Sequence, residues 1–340
     1  MSSATVISPL PQGAGRQIRE ITDVYELVQT DMQAVNAMIA ARLRSEVALI
    51  DQMGAYIVNS GGKRLRPVLS LLSARAMGYT GQQHINLATI VEFIHTATLL
   101  HDDVVDASNL RRGQDTANAI WGNEAAVLVG DFLYSRSFEM MVEVGSMPVM
   151  EVLAHATNTI AEGEVMQLLN CHDPDTTEER YLNVIRCKTA KLFEAASRLG
   201  GIIASSPEHQ VQQLATYGMH LGTAFQIIDD VLDYSAAPDE IGKNIGDDLA
   251  EGKPTLPLIY AMAHGQPDEA ALIRDAIENA SRDNIDKVRH AIESTGAIEY
   301  TARAAQAEAD RALTALEGLP ESLHLDALRL LARFSVYRNY

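Results

Sequence analysis

Two groups of aspartates in this sequence lie among aliphatic residues at the same spacing. We call them the first cluster, within LLHDDVVD, and the second cluster, within IIDDVLD. The members are Asp102, Asp103 and Asp106, then Asp229, Asp230 and Asp233. Positions i, i+1 and i+4 of a helix span about 100° of arc, so the three carboxylates of each cluster face one way.

The apolar neighbours of both clusters make these aspartates chemically unusual, because carboxylates beside an apolar wall are costly unless a cation meets them. No Lys or Arg lies one helical turn from either cluster. The pattern therefore favours a hard divalent cation such as Mg²⁺, which takes one or two protein carboxylates together with waters and phosphate oxygens. If their helices are neighbours, the clusters would hold a small group of metal ions with a diphosphate between them. A solvated acidic face is the alternative interpretation.

Basic residues occur where an anion would bind well. Lys63, Arg64 and Arg66, within GGKRLRP, precede or open a predicted helix. The helix dipole disfavours cations there, whereas a bound anion would be held by the side chains and by free backbone N–H groups. A basic loop in solvent is the alternative. Arg111 and Arg112 follow the first cluster as a second phosphate clamp. Further positive charge comes from Lys188, Lys243 and Lys253.

The elements that carry these residues have helical apolar spacing. Ile21 to Val58 shows this pattern, and a helix is predicted to begin at Pro67 and to continue until Gly78. Further helices are predicted over 84–107, 116–144, 147–170, 177–201 and 208–235, with shorter amphipathic helices from about Pro254 onward. The breaks are too short for domain linkers. We expect one all-α domain over residues 21–340, preceded by a flexible tail over residues 1–20.

Composition excludes several classes of protein. With 340 residues, 47% of them hydrophobic, the chain can form a sizeable core, and its net charge of -18 argues against nucleic-acid binding. Cys171 and Cys187 form no C-x-x-C pair, which favours a reduced, cytoplasmic protein over a disulfide framework. The sequence contains no apolar run of about 18 residues, so no transmembrane helix is expected. The N-terminal residues lack the amphipathic arginine pattern of a transit peptide.

Five segments together resemble one known family. GGKRLRP, LLHDDVVDASNLRRG, KTA, FQIIDDVLD and GKNIGDDLAEGKPTLP occur in the order found in trans-polyprenyl diphosphate synthases. The resemblance extends from Ile21 to the C-terminus, and the long-chain members that make quinone side chains are the most similar. It implies an all-α fold around a central cavity, a cytoplasmic homodimer, and transient membrane contact when the product is released. The implied reaction is successive, Mg²⁺-dependent condensation of isopentenyl diphosphate onto an allylic diphosphate such as farnesyl diphosphate.

The resemblance also implies a role for each site residue. Both aspartate clusters would bind Mg²⁺, with three ions in each active site. The isopentenyl diphosphate site corresponds to Lys63, Arg66, His95 and Arg112. The allylic diphosphate would be contacted by Arg111, Lys188 and Lys243, with Lys253 near by. Thr189 and Gln226 would lie beside the reacting carbons, where their dipoles stabilise positive charge. Without the resemblance, His95 would be interpreted as an ordinary core histidine.

Product length is predicted to depend on the residues before the first cluster. Ala97 lies five residues before Asp102, where the resemblance implies that an aromatic residue blocks the growing tail in short-chain relatives. Ala97 and Thr98 leave room for a longer tail, so a product of about octaprenyl length is expected. Met141 and its neighbours Met140 and Phe138 would form the floor of this tunnel, with plain core packing as the alternative.

Other functions are compatible with parts of this pattern. A class I terpene cyclase shares the first cluster but normally lacks the second cluster and the GGKRLRP segment. A non-catalytic subunit of a heteromeric synthase usually loses aspartates, whereas all six are present here. A shorter-chain synthase and a purely structural helical protein are further alternatives. The five ordered segments favour a long-chain synthase.

Overall fold

The computed structural model describes residues 17–59, 62–111, 113–235 and 245–337. Over these ranges the chain is helical nearly throughout, and the strands it contains form a single short antiparallel hairpin, β1 (Leu110–Arg111) with β2 (Gln114–Asp115). The predicted all-α class is therefore confirmed. The predicted N-terminal tail lies mostly outside the described residues.

The helices of the first half carry the first aspartate cluster on α5. They are α1 (Ile21–Leu27), α2 (Gln29–Arg42), α3 (Ala48–Asn59), α4 (Leu65–Ala76), α5 (Gln83–Val105), α6 (Ala117–Trp121), α7 (Asn123–Val144) and α8 (Met147–Asn170). The apolar pattern over 21–58 is thus divided among three helices. The predicted helix over 116–144 is divided at Gly122, whose φ of 88° lies in the left-handed region that favours glycine.

The helices of the second half carry the second cluster on α11. They are α9 (Glu178–Ile185), a π-helical segment (Arg186–Ala190), α10 (Lys191–Ile203), α11 (Glu208–Ser235), α12 (Asp247–Ala250), α13 (Leu256–His264), α14 (Pro267–Glu278), α15 (Ile285–Ser294), α16 (Ala297–Ala315) and α17 (Leu323–Tyr337). The predictions for α8 and α11 match the structure at both ends. The predicted helix over 177–201 is instead interrupted by the π-helical segment.

Helix α10 links the two helices that carry the aspartates. It packs against α5 on one side and against α11 on the other, and it also contacts α4 and α8. Its apolar side chains, among them Leu192, Phe193 and Leu199, belong to the largest buried cluster of the core. Burial of this shared core holds the ends of α5 and α11 in a fixed relation.

Two glycines allow the π-helical segment to lie close to its neighbours. A Cβ atom at Gly163 of α8 would lie 2.6 Å from the backbone nitrogen of Lys188, and one at Gly222 of α11 would lie 2.7 Å from the Cα of Ala190. Any side chain at either position would therefore displace the segment. This close packing places Lys188 and Thr189 between α8 and α11.

No helix within the described ranges is both long enough and apolar enough to cross a membrane.

Candidate active site

The first cluster lies at the C-terminal end of α5. The helix ends at Val105, and Ala107 adopts a left-handed φ of 50°. The backbone N–H of Ser108 donates to the carbonyl oxygen of Asp103 at 2.9 Å, which closes the last turn. The cluster is thereby held at a helix end instead of along a helix face.

Each aspartate of the first cluster meets a cation, and the cations of Asp102 and Asp106 come from distant parts of the chain. Lys188 Nζ lies 3.6 Å from Asp102 Oδ2, and Lys253 Nζ lies 2.9 Å from Asp106 Oδ2. Asp103 Oδ1 accepts from Arg111 Nε at 2.8 Å and from Arg111 Nη2 at 2.6 Å. None of these three cations lies one helical turn from the cluster in the sequence. The tertiary fold supplies Lys188 and Lys253, and the β-hairpin supplies Arg111.

In the second cluster, protein groups bind the middle aspartate. Asp230 accepts from Tyr181 Oη at 2.6 Å and from Gln226 Nε2 at 2.9 Å. Asp230 is 2% exposed, and the corresponding Asp103 of the first cluster is 4% exposed. Asp229 and Asp233 are half-buried, like Asp102 and Asp106. The two clusters therefore share one arrangement, in which the second aspartate is buried and the first and third lie nearer the surface.

The π-helical segment joins the two clusters. Lys188 lies between Asp102 and Glu164, whose Oε2 is 2.5 Å from Lys188 Nζ. The next residue, Thr189, donates from Oγ1 to Gln226 Oε1 at 3.1 Å. The adjacent residues Lys188 and Thr189 thus reach toward opposite clusters. In a regular α-helix, two consecutive side chains would point about 100° apart. Such π-helical interruptions are frequent at functional sites.

Glu164 is a site residue that sequence reasoning missed. Burial and, to a lesser extent, the charge of Asp102 raise the pKa of its carboxyl group to about 7, against the opposing effect of Lys188. Burial also raises the pKa of Asp102, again against the effect of Lys188. In the sequence Glu164 is one of three glutamates in the predicted helix over 147–170, and no spacing pattern distinguishes it from Glu151 and Glu162.

A cavity of about 280 Å³ opens beside the first cluster. Its polar lining includes Asp102, Asp106, Glu164 and Lys188, and its apolar lining includes Val105 and Leu168. Among the described residues, no three His, Cys, Asp or Glu side chains are arranged to hold a metal ion. The carboxylate pair Asp102 and Asp106 fits a Mg²⁺ ion that takes its remaining oxygens from water and phosphate.

A smaller cavity of about 70 Å³ lies on the side of the second cluster. Asp230, Asp248, Gln226 and Lys253 line it. Burial alone would lower the pKa of the Lys253 ammonium, but Glu251, Asp106 and Asp248 together raise it above its ordinary value. Lys253 thus remains charged while it reaches from this cavity to the first cluster.

The predicted isopentenyl diphosphate residues are partly brought together. Arg66 Nη1 lies 3.0 Å from His95 Nε2, and the Arg66 guanidinium lies 4.5 Å from the centroid of the Phe193 ring. His95 precedes Asp102 by two turns of α5, or roughly 10 Å along the helix axis. Lys63 is exposed, and its carbonyl oxygen accepts from Tyr25 Oη at 2.6 Å.

Comparison with known proteins places the chain in a family. The family model described as polyprenyl synthetase matches residues 47–295. The chain belongs to this family. It is 53% identical to the octaprenyl diphosphate synthase of Escherichia coli (strain K12) over 317 residues, which cover 93% of this chain and 98% of that protein. It is 52% identical to the octaprenyl diphosphate synthase of Haemophilus influenzae, with 96% and 99% of the two chains covered.

A solved structure agrees with this membership. The crystal structure of a polyprenyl synthase from Caulobacter crescentus CB15, complexed with calcium and isoprenyl diphosphate, has a TM-score of 0.91 to this chain. The two are 44% identical, and the match covers 97% of this polyprenyl synthetase and 100% of the Caulobacter chain. The resemblance inferred from the five sequence segments is confirmed.

The residues predicted to set chain length lie in the packed core of this polyprenyl synthetase. Ala97 and Met141 are fully buried, in the core cluster that joins α5 to α7. Thr98 donates from Oγ1 to the carbonyl oxygen of His95 at 2.9 Å. The tunnel assignment stays a prediction. Two predicted phosphate-binding residues, Arg112 and Lys243, lie outside the described residues.

Proposed function

We propose that this polyprenyl synthetase is an octaprenyl diphosphate synthase, which extends an allylic diphosphate by repeated addition of isopentenyl diphosphate. One observation carries the proposal. Lys188 reaches the first cluster and its neighbour Thr189 contacts Gln226 beside the second cluster. Acidic, cationic and polar groups thus line the two cavities beside the clusters, which suits a metal-bound diphosphate. The high identity to octaprenyl diphosphate synthases supports the product class.

The outer aspartates are the best-placed metal ligands. Asp103 and Asp230 are buried and accept hydrogen bonds from protein groups. We therefore assign Mg²⁺ binding to the first and third members of each cluster, namely Asp102, Asp106, Asp229 and Asp233. Bound Mg²⁺ would stabilise the charge of the departing diphosphate. Three ions per site remain our expectation.

The cations of the chain have a separate task. Lys188, Lys253 and Arg111 now neutralise aspartates, and their ammonium and guanidinium groups suit the oxygens of an allylic diphosphate. Lys243 is proposed for the same diphosphate. Their positive charge favours breakage of the allylic C–O bond, because it stabilises the negative charge that develops on the leaving group.

A second group of residues would hold isopentenyl diphosphate. This group is Lys63, Arg66, His95 and Arg112. The pair of Arg66 and His95 lies on the α4 and α5 side of the site, two helical turns from Asp102. The double bond of isopentenyl diphosphate attacks the allylic cation, and the released diphosphate accepts the proton that is then lost. Thr189 and Gln226 direct their dipoles at the developing positive charge, and apolar walls exclude water that would quench it.

A homodimer is proposed from the apolar surface of α7 and α8. Leu128 of α7 is 66% exposed, and Val165, Leu168 and Leu169 of α8 are each more than half exposed. Large exposed apolar residues on adjacent helices are typical of an interaction surface. Light scattering of the purified chain would test this, and a monomer at micromolar concentration would contradict it. We also propose a cytoplasmic location, with brief membrane contact at product release.

The deciding experiment is a chain-elongation assay. The purified chain is incubated with farnesyl diphosphate, labelled isopentenyl diphosphate and Mg²⁺, and the products are separated by length. Linear prenols of about octaprenyl length are expected. Geranylgeranyl-length products would identify a short-chain synthase, cyclic hydrocarbons a terpene cyclase, and no product a non-catalytic subunit. Asp102→Asn should abolish elongation, whereas Asp310→Asn, at an exposed position of α16, is the matched control.

A further inference from the structure

A chain of hydrogen bonds runs from α9 to the π-helical segment. It begins at Tyr181, whose Oη donates to Asp230 Oδ2 at 2.6 Å. Gln226 Nε2 donates to Asp230 Oδ1 at 2.9 Å, and Thr189 Oγ1 donates to Gln226 Oε1 at 3.1 Å. Thr189 and Gln226 already have proposed roles beside the reacting carbons. Tyr181, at the far end, was assigned none by the sequence motifs.

The order of donors and acceptors fixes the direction of this chain. Both carboxyl oxygens of Asp230 act as acceptors, so Gln226 turns its amide nitrogen toward Asp230 and its carbonyl oxygen toward Thr189. The hydroxyl proton of Thr189 is then committed to Gln226. A flip of the Gln226 amide would set its carbonyl oxygen against the Asp230 carboxyl oxygen and reverse the direction of the bond with Thr189. The orientation of both dipoles thus depends on where the Asp230 carboxylate is held.

Tyr181 is well placed to hold that carboxylate. Tyr181 is 5% exposed and packs in a buried cluster with Ile185, Ile227 and Ile228. The 2.6 Å separation between Tyr181 Oη and Asp230 Oδ2 is that of a short O–H···O hydrogen bond. Both residues are buried, and both border the smaller cavity of about 70 Å³. Helix α9, which carries Tyr181, is capped by Thr177, whose side chain accepts from the backbone N–H of Arg180.

We propose that Tyr181 is a positioning residue for chain elongation: it fixes Asp230 and, through it, the orientation of the Gln226 amide and the Thr189 hydroxyl. Tyr181 acts through the other members of the chain. The inference rests on the proposed function for its kinetic consequence, but the orientation of the Gln226 amide can be measured without turnover.

The test uses two tyrosine variants of the full chain. Tyr181→Phe removes only the hydroxyl group and keeps the packed ring. Tyr300→Phe is the matched control, because Tyr300 Oη also donates to a carboxylate of α9, Glu178 Oε2, at 2.8 Å. Tyr300 stacks on Tyr260 and lines neither cavity. Melting temperatures of both variants show whether each remains folded.

The first measurement is independent of activity. In protein labelled with ¹⁵N at glutamine, the side-chain amide of Gln226 should exchange its protons with water at least several times faster in Tyr181→Phe than in wild type. Tyr300→Phe should leave this exchange unchanged. Equal exchange in Tyr181→Phe and wild type would overturn the inference, whether or not the chain elongates prenyl diphosphates.

The second measurement is steady-state elongation with farnesyl diphosphate, isopentenyl diphosphate and Mg²⁺. Loss of one hydrogen bond to a buried carboxyl group predicts that kcat of Tyr181→Phe falls about tenfold, with KM for both substrates within about twofold of wild type. Tyr300→Phe should keep the wild-type kcat. In a Gln226→Ala background, Tyr181→Phe should cause no further loss, because its effect passes through Gln226.

Three kinetic results would reject the positioning role. They are a Tyr181→Phe kcat within about twofold of an active wild type, the same fractional loss in the Gln226→Ala background, and a change confined to the Mg²⁺ concentration at half-maximal rate. The last result would identify Tyr181 as a determinant of metal affinity instead. An inactive wild type would reject the proposed function, and the exchange measurement alone would then decide the role of Tyr181.

Discussion

Lys253 Nζ lies 2.9 Å from Asp106 Oδ2, although 147 residues separate the two in the chain. The same ammonium group also bonds the carboxylate of Glu251. This contact joins the end of α5 to the segment that follows α12. To contact a bound diphosphate, the Lys253 ammonium group would have to exchange Asp106 and Glu251 for phosphate oxygens. Substitution of Lys253 therefore tests this site.

Removal of the Lys253 cation should destabilise the ligand-free protein. Lys253→Met leaves two partly buried carboxylates without their ammonium partner, and loss of one member of a buried pair typically costs about 3 kcal/mol. We expect the free energy of unfolding in denaturant to fall by about that amount. Lys287→Met, at an exposed lysine of α15, is the control. A loss equal to that of the control would show that the contact contributes nothing.

Glu164 should make stability depend on pH. Its carboxyl pKa is raised from 4.5 to about 7 in the folded chain, so the folded state holds the proton more tightly than the unfolded state does. The stabilisation is complete below about pH 4.5, falls as the pH rises to about 7, and is absent above that. The difference in free energy of unfolding between wild type and Glu164→Gln should therefore decline across this window.

The measurement is urea unfolding of both proteins, without Mg²⁺ or substrate, at intervals of half a pH unit. Glu162→Gln, at an exposed position of the same helix, controls for the loss of an acid from α8. A difference that rises with pH would mean that Lys188 outweighs burial at this site.

Gly163→Ala should disturb the π-helical segment. The added Cβ would meet the backbone nitrogen of Lys188 at 2.6 Å, and backbone cannot yield as a flexible side chain would. We expect about 1–3 kcal/mol of destabilisation together with at least a tenfold loss of elongation rate. Gly54→Ala in α3 is the matched control, since its Cβ would approach Leu43 no closer than 3.4 Å. Equal kinetics in the two variants would contradict the predicted importance of this close packing.

Ala97→Tyr should shorten the product. Ala97 is fully buried where α5 packs against α7, so a phenol ring there would fill the space assigned to the growing prenyl tail. Products of farnesyl to geranylgeranyl length are expected in the elongation assay, whereas Ala97→Gly should keep the long product. An unchanged product length in a folded Ala97→Tyr variant would remove the tunnel from this part of the core.

The sequence by itself determined the helices and the chemistry of the two clusters. Apolar periodicity is a local property, so the ends of α8 and α11 could be predicted, and the repeated aspartate spacing indicated a metal and diphosphate site before any contact was known. The same locality explains the errors at Gly122 and in the 177–201 segment. A turn glycine and a π-helical interruption change the helical register over only a few residues, and the apolar pattern continues across them.

Only the tertiary structure decided which groups meet. The partners of the clusters come from distant positions: Lys253 is 147 residues from Asp106, and Tyr181 is 49 residues from Asp230. Glu164 gains its raised pKa from burial beside Asp102, which no spacing pattern records. The burial of Asp103 and Asp230 likewise results from the packing of α5 and α11 against α10. Charge pairing and desolvation depend on distance in space, and the packed core sets those distances.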